Sequence, residues 1–132
     1  MIRSLNMTLA QVAVLIAAGG LVGLRVYVAG PMTGLPRWNF DAFAAAAAAL
    51  RRLGAVVTSP HEIDLADGFD PDGDGAGFDL RRALERDVEE VLSADLVVLL
   101  DGWEVSSGVM VEILAAEGAG IPYAPIRYVL AA

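Results

Sequence analysis

At 132 residues, 56% apolar and with a net charge of −8, the chain suits one hydrophobic core, is too apolar to be disordered, and lacks the cation surplus of a nucleic-acid binder. Cys and Lys are absent and His61 is the only His. That excludes disulfides, thiol nucleophiles, Cys-ligated zinc, a Walker A lysine, Schiff bases and His-based metal clusters, leaving carboxylates, hydroxyls, Arg and backbone amides.

Residues 1–24 read as an apolar extension ahead of a domain at 25–132. "TLAQVAVLIAAGG" begins with a capping-box pattern, Thr8 to Gln11, and closes on two glycines. The apolar run Val12–Leu24 is 13 residues long, short for a bilayer span. A helix packing on the domain or on a partner subunit is the main expectation. A signal-peptide or membrane-surface role, suggested by Arg3 and the small residues near Ala18, is the lesser one.

"LRVYVAG" (24–30) reads as a strand ending in the turn cluster "GPMTG". "NFDAFAAAAAALRRLG" (39–54) predicts a helix with Asn39 as N-cap and Gly54 just beyond its end. "AVVTSP" (55–60) follows as a second strand, then a Gly- and Asp-rich loop over 61–78 and a helix over 79–94. "DLVVLL" (95–100) suits a buried parallel strand, 107–118 a helix, and "IPYAPI" (121–126) a last strand. This alternation predicts an open, mostly parallel, doubly wound α/β sheet of about four to five strands with flanking helices, Rossmann-like or flavodoxin-like. Ligands in such sheets bind at the carboxyl ends of the strands, here 30–34, 59–62 and 101–108.

Three stretches raise chemical questions. "DPDGDG" (70–75) matches the first half of a calcium loop, but Arg81 stands where the bidentate Glu belongs, so a solvated loop is the better reading. On 79–94 the apolar stripe is Leu80, Leu84, Val88, Val91 and Leu92, and Asp87 falls on the same face. An Asp at the stripe's edge, bonded to Arg82, Arg86 or a loop amide, is the alternative to a functional carboxylate. Glu112 has only small or apolar neighbours at three and four positions: Gly108, Val109, Ala115 and Ala116. A carboxylate favoured by the helix dipole explains its place near an N-terminus, but not those small neighbours. Ser106, Ser107 and Gly108 form a helix start whose amides suit an anion. Tyr27, inside the first strand, is either a core aromatic or part of a site.

Together "VYVAGPMTG" (26–34), Arg86–Asp87, "DLVVLLDG" (95–102) and "SSGVMVE" (106–112) resemble, in order, the nucleoside 2-deoxyribosyltransferase-like superfamily. The likeness spans roughly 25–126 and is nearest to a short branch carrying "AGPMTG" and "GWE-S-G---E". It implies a Glu nucleophile at Glu112 that attacks C1′ of a nucleoside and displaces the base. Asp87, aided by Asp101, would handle the proton on the departing base, and Tyr27 would orient the nucleophile. The sugar would bind between Gly30, Pro31, Met32 and Gly34 and the start of the 107–118 helix. Trp38 or Trp103 would stack on the base, or serve a structural role alone, and Ser106 and Ser107 beside Gly108 would hold a 5′-phosphate.

This chain departs from the transferases in its longer "DGWEVSSG", which leaves transfer or hydrolysis open. No metal or cofactor is implied, nor a nucleic-acid polymer or membrane as partner. A cytoplasmic homo-oligomer is expected, with the N-terminal helix building an interface. A nucleotide-binding or assembly module that retains the fold without the reaction is the alternative.

Overall fold

The β-branched run Arg25–Ala29 forms β1, and Val56–Thr58, Leu96–Leu99 and Tyr123–Pro125 form β2, β3 and β4. All pair in parallel in the order β2-β1-β3-β4, with Val26 opposite Leu96 and Val97 opposite Tyr123. The computed structural model describes residues 5–131. Its helices are α1 (Leu9–Ala17), α2 (Phe40–Arg52), α3 (Pro60–Ala66), α4 (Leu80–Leu92), α5 (Ser107–Ala119) and α6 (Ile126–Ala131). The chain is therefore an α/β doubly wound fold.

Alternation along the strands splits the core in two. Val26, Val28, Leu96 and Val98 face Phe43, Leu50 and Val12 of α2 and α1. Tyr27, Ala29, Val97 and Leu99 face Val91 of α4 and Val109 and Ala116 of α5. The alanine run lets α2 lie close to the sheet, with Ala46 and Ala47 both buried.

The N-terminal segment belongs to the first of these layers. Thr8 and Gln11 form the expected reciprocal cap, Val12 is buried, and α1 packs against α6. Met7 N–H donates to the Tyr123 carbonyl at 2.9 Å, tying residues before α1 to the edge of β4. No helix among the described residues is long and apolar enough to cross a membrane.

Four local expectations are corrected. The stretch 61–78 is not all loop, because Pro60 at the first helical position starts α3. Asn39 does not cap α2 with its side chain. It is left-handed, with φ 62°, and its amide donates instead to the Pro31 carbonyl at 2.9 Å. On α4 the buried residues are Ala83 and Val91, while Leu80 and Leu92 are exposed. The inward line through Ala83 and Val91, with Asp87 half-buried between them, is thus rotated from the predicted stripe, because small Ala83 faces the neighbouring elements. Finally, the last strand ends at Pro125 and α6 follows.

Gly30 ends β1 where its neighbour leaves no room. A Cβ there would stand 2.8 Å from Leu100 Cβ and Cδ1. Gly30→Ala is expected to lower stability by about 1–3 kcal/mol through this overpacking. Urea unfolding checks it, and an unchanged midpoint would mean that Leu100 yields freely.

Candidate active site

β1 connects leftward to β2 while β3 connects rightward to β4, so the strand order reverses between β1 and β3. Crevices in open α/β sheets form at that reversal, beyond the carboxyl ends. Gly30, Pro31 and Met32 leave β1 there, and Asp101, Gly102 and Trp103 leave β3. The two loops touch: a Cβ on Gly102, at φ +88°, would lie 3.3 Å from Pro31 Cγ. Met32 packs into the α2-side core, and Gly34 turns at φ +82° with open space around it.

The next turn is strained. Arg37, Trp38 and Asn39 have φ of 49°, 56° and 62° in succession. Left-handed non-glycine residues cost on the order of 1–3 kcal/mol each and persist only where the surroundings hold them. Trp38 meets the Phe69 ring edge-on at 5.7 Å, and Arg37 pairs with Asp41 and Asp72. Within the acidic loop, Asp70 accepts from the Asp72 amide and Asp74 from the Ala76 amide, so these carboxylates cap turns. Trp38 is therefore pinned to the 69–78 segment.

Beneath α4 and α5, on one face of the sheet, lie Tyr27, Glu112 and Asp87. Tyr27 is fully buried, Glu112 is 6% exposed, and the Asp87 side chain is 15% exposed. Burial pushes the Glu112 carboxyl up to about 8, with the Tyr27 hydroxyl pulling it down and the Asp87 charge adding to the rise. Burial also raises the Tyr27 phenol well above its ordinary value, reinforced by Glu112 and then Asp87. All three groups thus sense one another. The Tyr27 hydroxyl and Glu112 Oε2 are nonetheless buried without a hydrogen-bond partner. They are close enough to perturb each other's titration yet not aligned as a hydrogen bond. Orphaned buried polar atoms are rare, and two in one spot mark a place built for something other than packing.

Arg86 connects this spot to α3. Its Nη2 donates to Asp64 at 2.8 Å and to Asp87 at 2.9 Å, and its Nε donates to Asp87 at 3.1 Å. Burial raises both Asp64 and Asp87, and the guanidinium pulls both down. At the start of α3, Ser59 Oγ, just before the helix, and His61 Nδ1 lie 2.5 Å apart, and burial lowers the His61 pKa.

Sequence reasoning does not reach Asp64, which sits in the stretch read as loop, whereas the Asp87–Arg86 pair is one of the pairings that the spacing on 79–94 allows. The helical spacing of His61, Asp64 and Leu65 after Pro60 was the available signal.

The other predicted residues lie around the crevice. The Asp101 carboxylate is exposed and makes no ion pair among the described residues. Trp103 is half-buried against the Tyr27-side core. Ser106 caps α5 by accepting from the Val109 amide at 3.3 Å, while Ser107 is exposed at its first position. Gly108 has ordinary clearance, with Leu84 Cδ2 3.9 Å from a built Cβ. Glu112, Asp87 and Tyr27 are thus brought together, whereas Asp101 and Trp38 stand on loops and the two serines at the start of α5.

Residues 24–124 match the model of a protein family described as "Domain of unknown function (DUF4406)". Against the curated proteins nothing matches.

Proposed function

The chain belongs to the DUF4406 family, and we propose that it cleaves the N-glycosidic bond of a nucleoside or nucleoside 5′-monophosphate through Glu112. The observation that carries this reading is the buried cluster of Glu112, Asp87 and Tyr27 beside the point where the strand order reverses. Paired carboxylates in unlike surroundings are the chemistry of retaining glycoside hydrolysis. The resemblance to the nucleoside 2-deoxyribosyltransferase-like superfamily supplies the substrate class.

In the first step a Glu112 carboxylate oxygen bonds to C1′ of the sugar. The C1′–N bond breaks with its electron pair going to the base, and Asp87 delivers a proton to that base. In the second step water, or the nitrogen of another base, attacks C1′ and releases Glu112, and Asp87 takes the attacker's proton. The Tyr27 hydroxyl turns onto Glu112 and holds the carboxylate that has lost its bond. Arg86 keeps Asp87 in place and limits the rise of its pKa.

This scheme needs one proton on the Glu112–Asp87 pair, held by Asp87 when substrate is bound. The pair titrates as a unit. Below the raised Asp87 value both carboxyls are protonated and no nucleophile exists. Above about 8, where Glu112 ionises in the empty site, neither carboxyl can donate. A bell-shaped kcat/KM profile is expected, falling on its alkaline side near pH 8. A rate that keeps rising to pH 10 would remove the carboxyl acid from the mechanism.

The test is incubation with a panel of deoxynucleosides and nucleoside monophosphates, with free base read by chromatography. Release that vanishes in Glu112→Ala supports the enzyme. A second reading, a nucleotide-binding module without turnover, draws on the near-complete burial of Glu112. Binding without base release would favour it.

A further inference from the structure

We infer that Asp64, on α3, is a positioning residue for the acid step: by sharing the Arg86 guanidinium it leaves Asp87 able to carry the proton that the departing base takes. The inference rests on the reading of Glu112 as nucleophile and Asp87 as acid. It adds a residue that acts on the reaction only through Arg86. Acids on a short helix normally face water, and the neighbours of Asp64 do so. Glu62 pairs with Arg51 at the surface, and the Asp67 side chain is 68% exposed. Asp64 instead is buried, which is costly for a carboxylate unless a cation is aimed at it.

The cation is shared. Arg86 Nη2 has two hydrogens, and both are committed, one to Asp64 Oδ1 at 2.8 Å and one to Asp87 Oδ1 at 2.9 Å. Nε reaches the same Asp87 oxygen at 3.1 Å, and Nη1 reaches only Asp67 at 3.5 Å. A guanidinium gripping Asp87 fork to fork, one nitrogen to each oxygen, would hold it as a carboxylate. Here the Arg86 bonds to Asp87 all fall on Oδ1, which leaves Oδ2 for a proton.

One cation between two buried carboxyls is neutral only when one carboxyl keeps a proton. The other charges in reach decide which. Asp87 faces Glu90 along α4, Glu112 of α5 and the Tyr27 hydroxyl of β1. An ionised nucleophile makes a second negative charge there costly. Asp64 faces Asp67, which opposes its charge, and His61, which favours it. With Glu112 ionised, the proton therefore belongs on Asp87. Burial raises Asp87 most, Arg86 opposes that rise, and the charges of Asp64 and then Glu90 add to it. Without the Asp64 charge, Arg86 has only Asp87 to neutralise, and Asp87 gives up its proton before the base can take it.

The test is Asp64→Asn, whose amide oxygen still accepts from Arg86 but carries no charge. Carbon-13 NMR of labelled Asp carboxyls, assigned with Asp87→Asn, reads where Asp87 titrates. Asp87 is expected to titrate at lower pH in Asp64→Asn. The kcat for base release near neutrality should fall about ten-fold, part of the 10²–10⁴ that a general acid supplies, with KM unchanged. Asp64→Glu restores the charge and should return both readouts toward those of the unmutated chain, which loss of packing alone would not do. An Asp87 titration indifferent to Asp64→Asn overturns the inference, whether or not base is released. A chain that releases no base overturns the glycosidic reading instead. In the unmutated chain near neutral pH, Asp64 should give the chemical shift of a carboxylate. A protonated Asp64 there overturns the inference even where no variant folds.

Discussion

Glu112→Gln is expected to abolish base release and, at the same time, to make the folded chain more stable at alkaline pH. The first effect follows from loss of the only atom pair proposed to bond C1′, and removal of a nucleophile lowers kcat by on the order of 10⁴–10⁶-fold. The second follows from linkage. The folded carboxyl titrates at about 8 against 4.5 in its ordinary state. Between those values the native state holds a proton that the unfolded chain has released, so stability falls as pH rises through that window. Below it the penalty is absent, and above it the penalty is complete, of order 3–5 kcal/mol.

Glutamine is neutral at every pH and escapes the penalty while filling the same volume. Urea unfolding of both proteins at pH 4.5 and pH 9 should give curves that nearly coincide in acid and separate in base, with the variant more stable. Curves that stay parallel would show that Glu112 is not a buried, strained carboxyl. The two readouts are independent: a stability gain with unchanged base release would keep the burial and discard the nucleophile.

Arg86→Met carries the second large effect. The guanidinium is bonded to Asp64 and Asp87, whose side chains are 6% and 15% exposed. Removing it leaves two carboxylates in a low-dielectric pocket with no cation, a loss of about 3 kcal/mol or more near neutrality. Both aspartates already titrate above their ordinary values because burial outweighs the Arg86 charge. Without Arg86 they rise further. The variant therefore loses stability as pH climbs through the acid-to-neutral range, whereas in acid both carboxyls are neutral and the deficit shrinks.

Equal deficits at pH 4 and pH 8 would mean that Arg86 contributes through packing alone. Arg86→Lys should recover part of the loss, since it keeps the charge but not the planar fork that reaches both carboxylates. Base release should respond as well. An Asp87 that clings to its proton is a weaker acid toward the leaving base, so the acid side of the pH profile moves upward.

Some features of the site are legible in the sequence itself. Glu112 stood out because a charge among Gly108, Val109, Ala115 and Ala116 breaks the expectation for a half-buried helix, and it is one of only four buried polar or charged residues in the described chain. Asp87 was placed on the buried side of its helix by spacing alone. The stripe around it differs from its periodicity, because large Leu80 and Leu92 dominate the pattern while small Ala83 is the residue that faces inward. Asp64 went unnoticed, since nothing within four residues of it foretells Arg86, twenty-two positions later. The left-handed turn at 37–39 was equally hidden. Its φ values are imposed by Phe69, Asp72 and Pro31, not by the residues that adopt them.

Sequence by itself determined what neighbours along the chain control. The four parallel strands and the helices that follow β1, precede β3 and follow β3, the Thr8 cap, the buried run of β3, the glycine ending β1 and the absence of Lys and Cys chemistry all belong to this group, whereas α3 and α6 do not. These are encoded by local spacing of one, two or four residues, and by composition. Tertiary structure decided which carboxylates share a pocket, how far their protons are held and which helix face is left bare. Desolvation and Coulomb coupling depend on distance in space, and the groups that set them for Glu112 are Tyr27 and Asp87, eighty-five and twenty-five positions away in the chain.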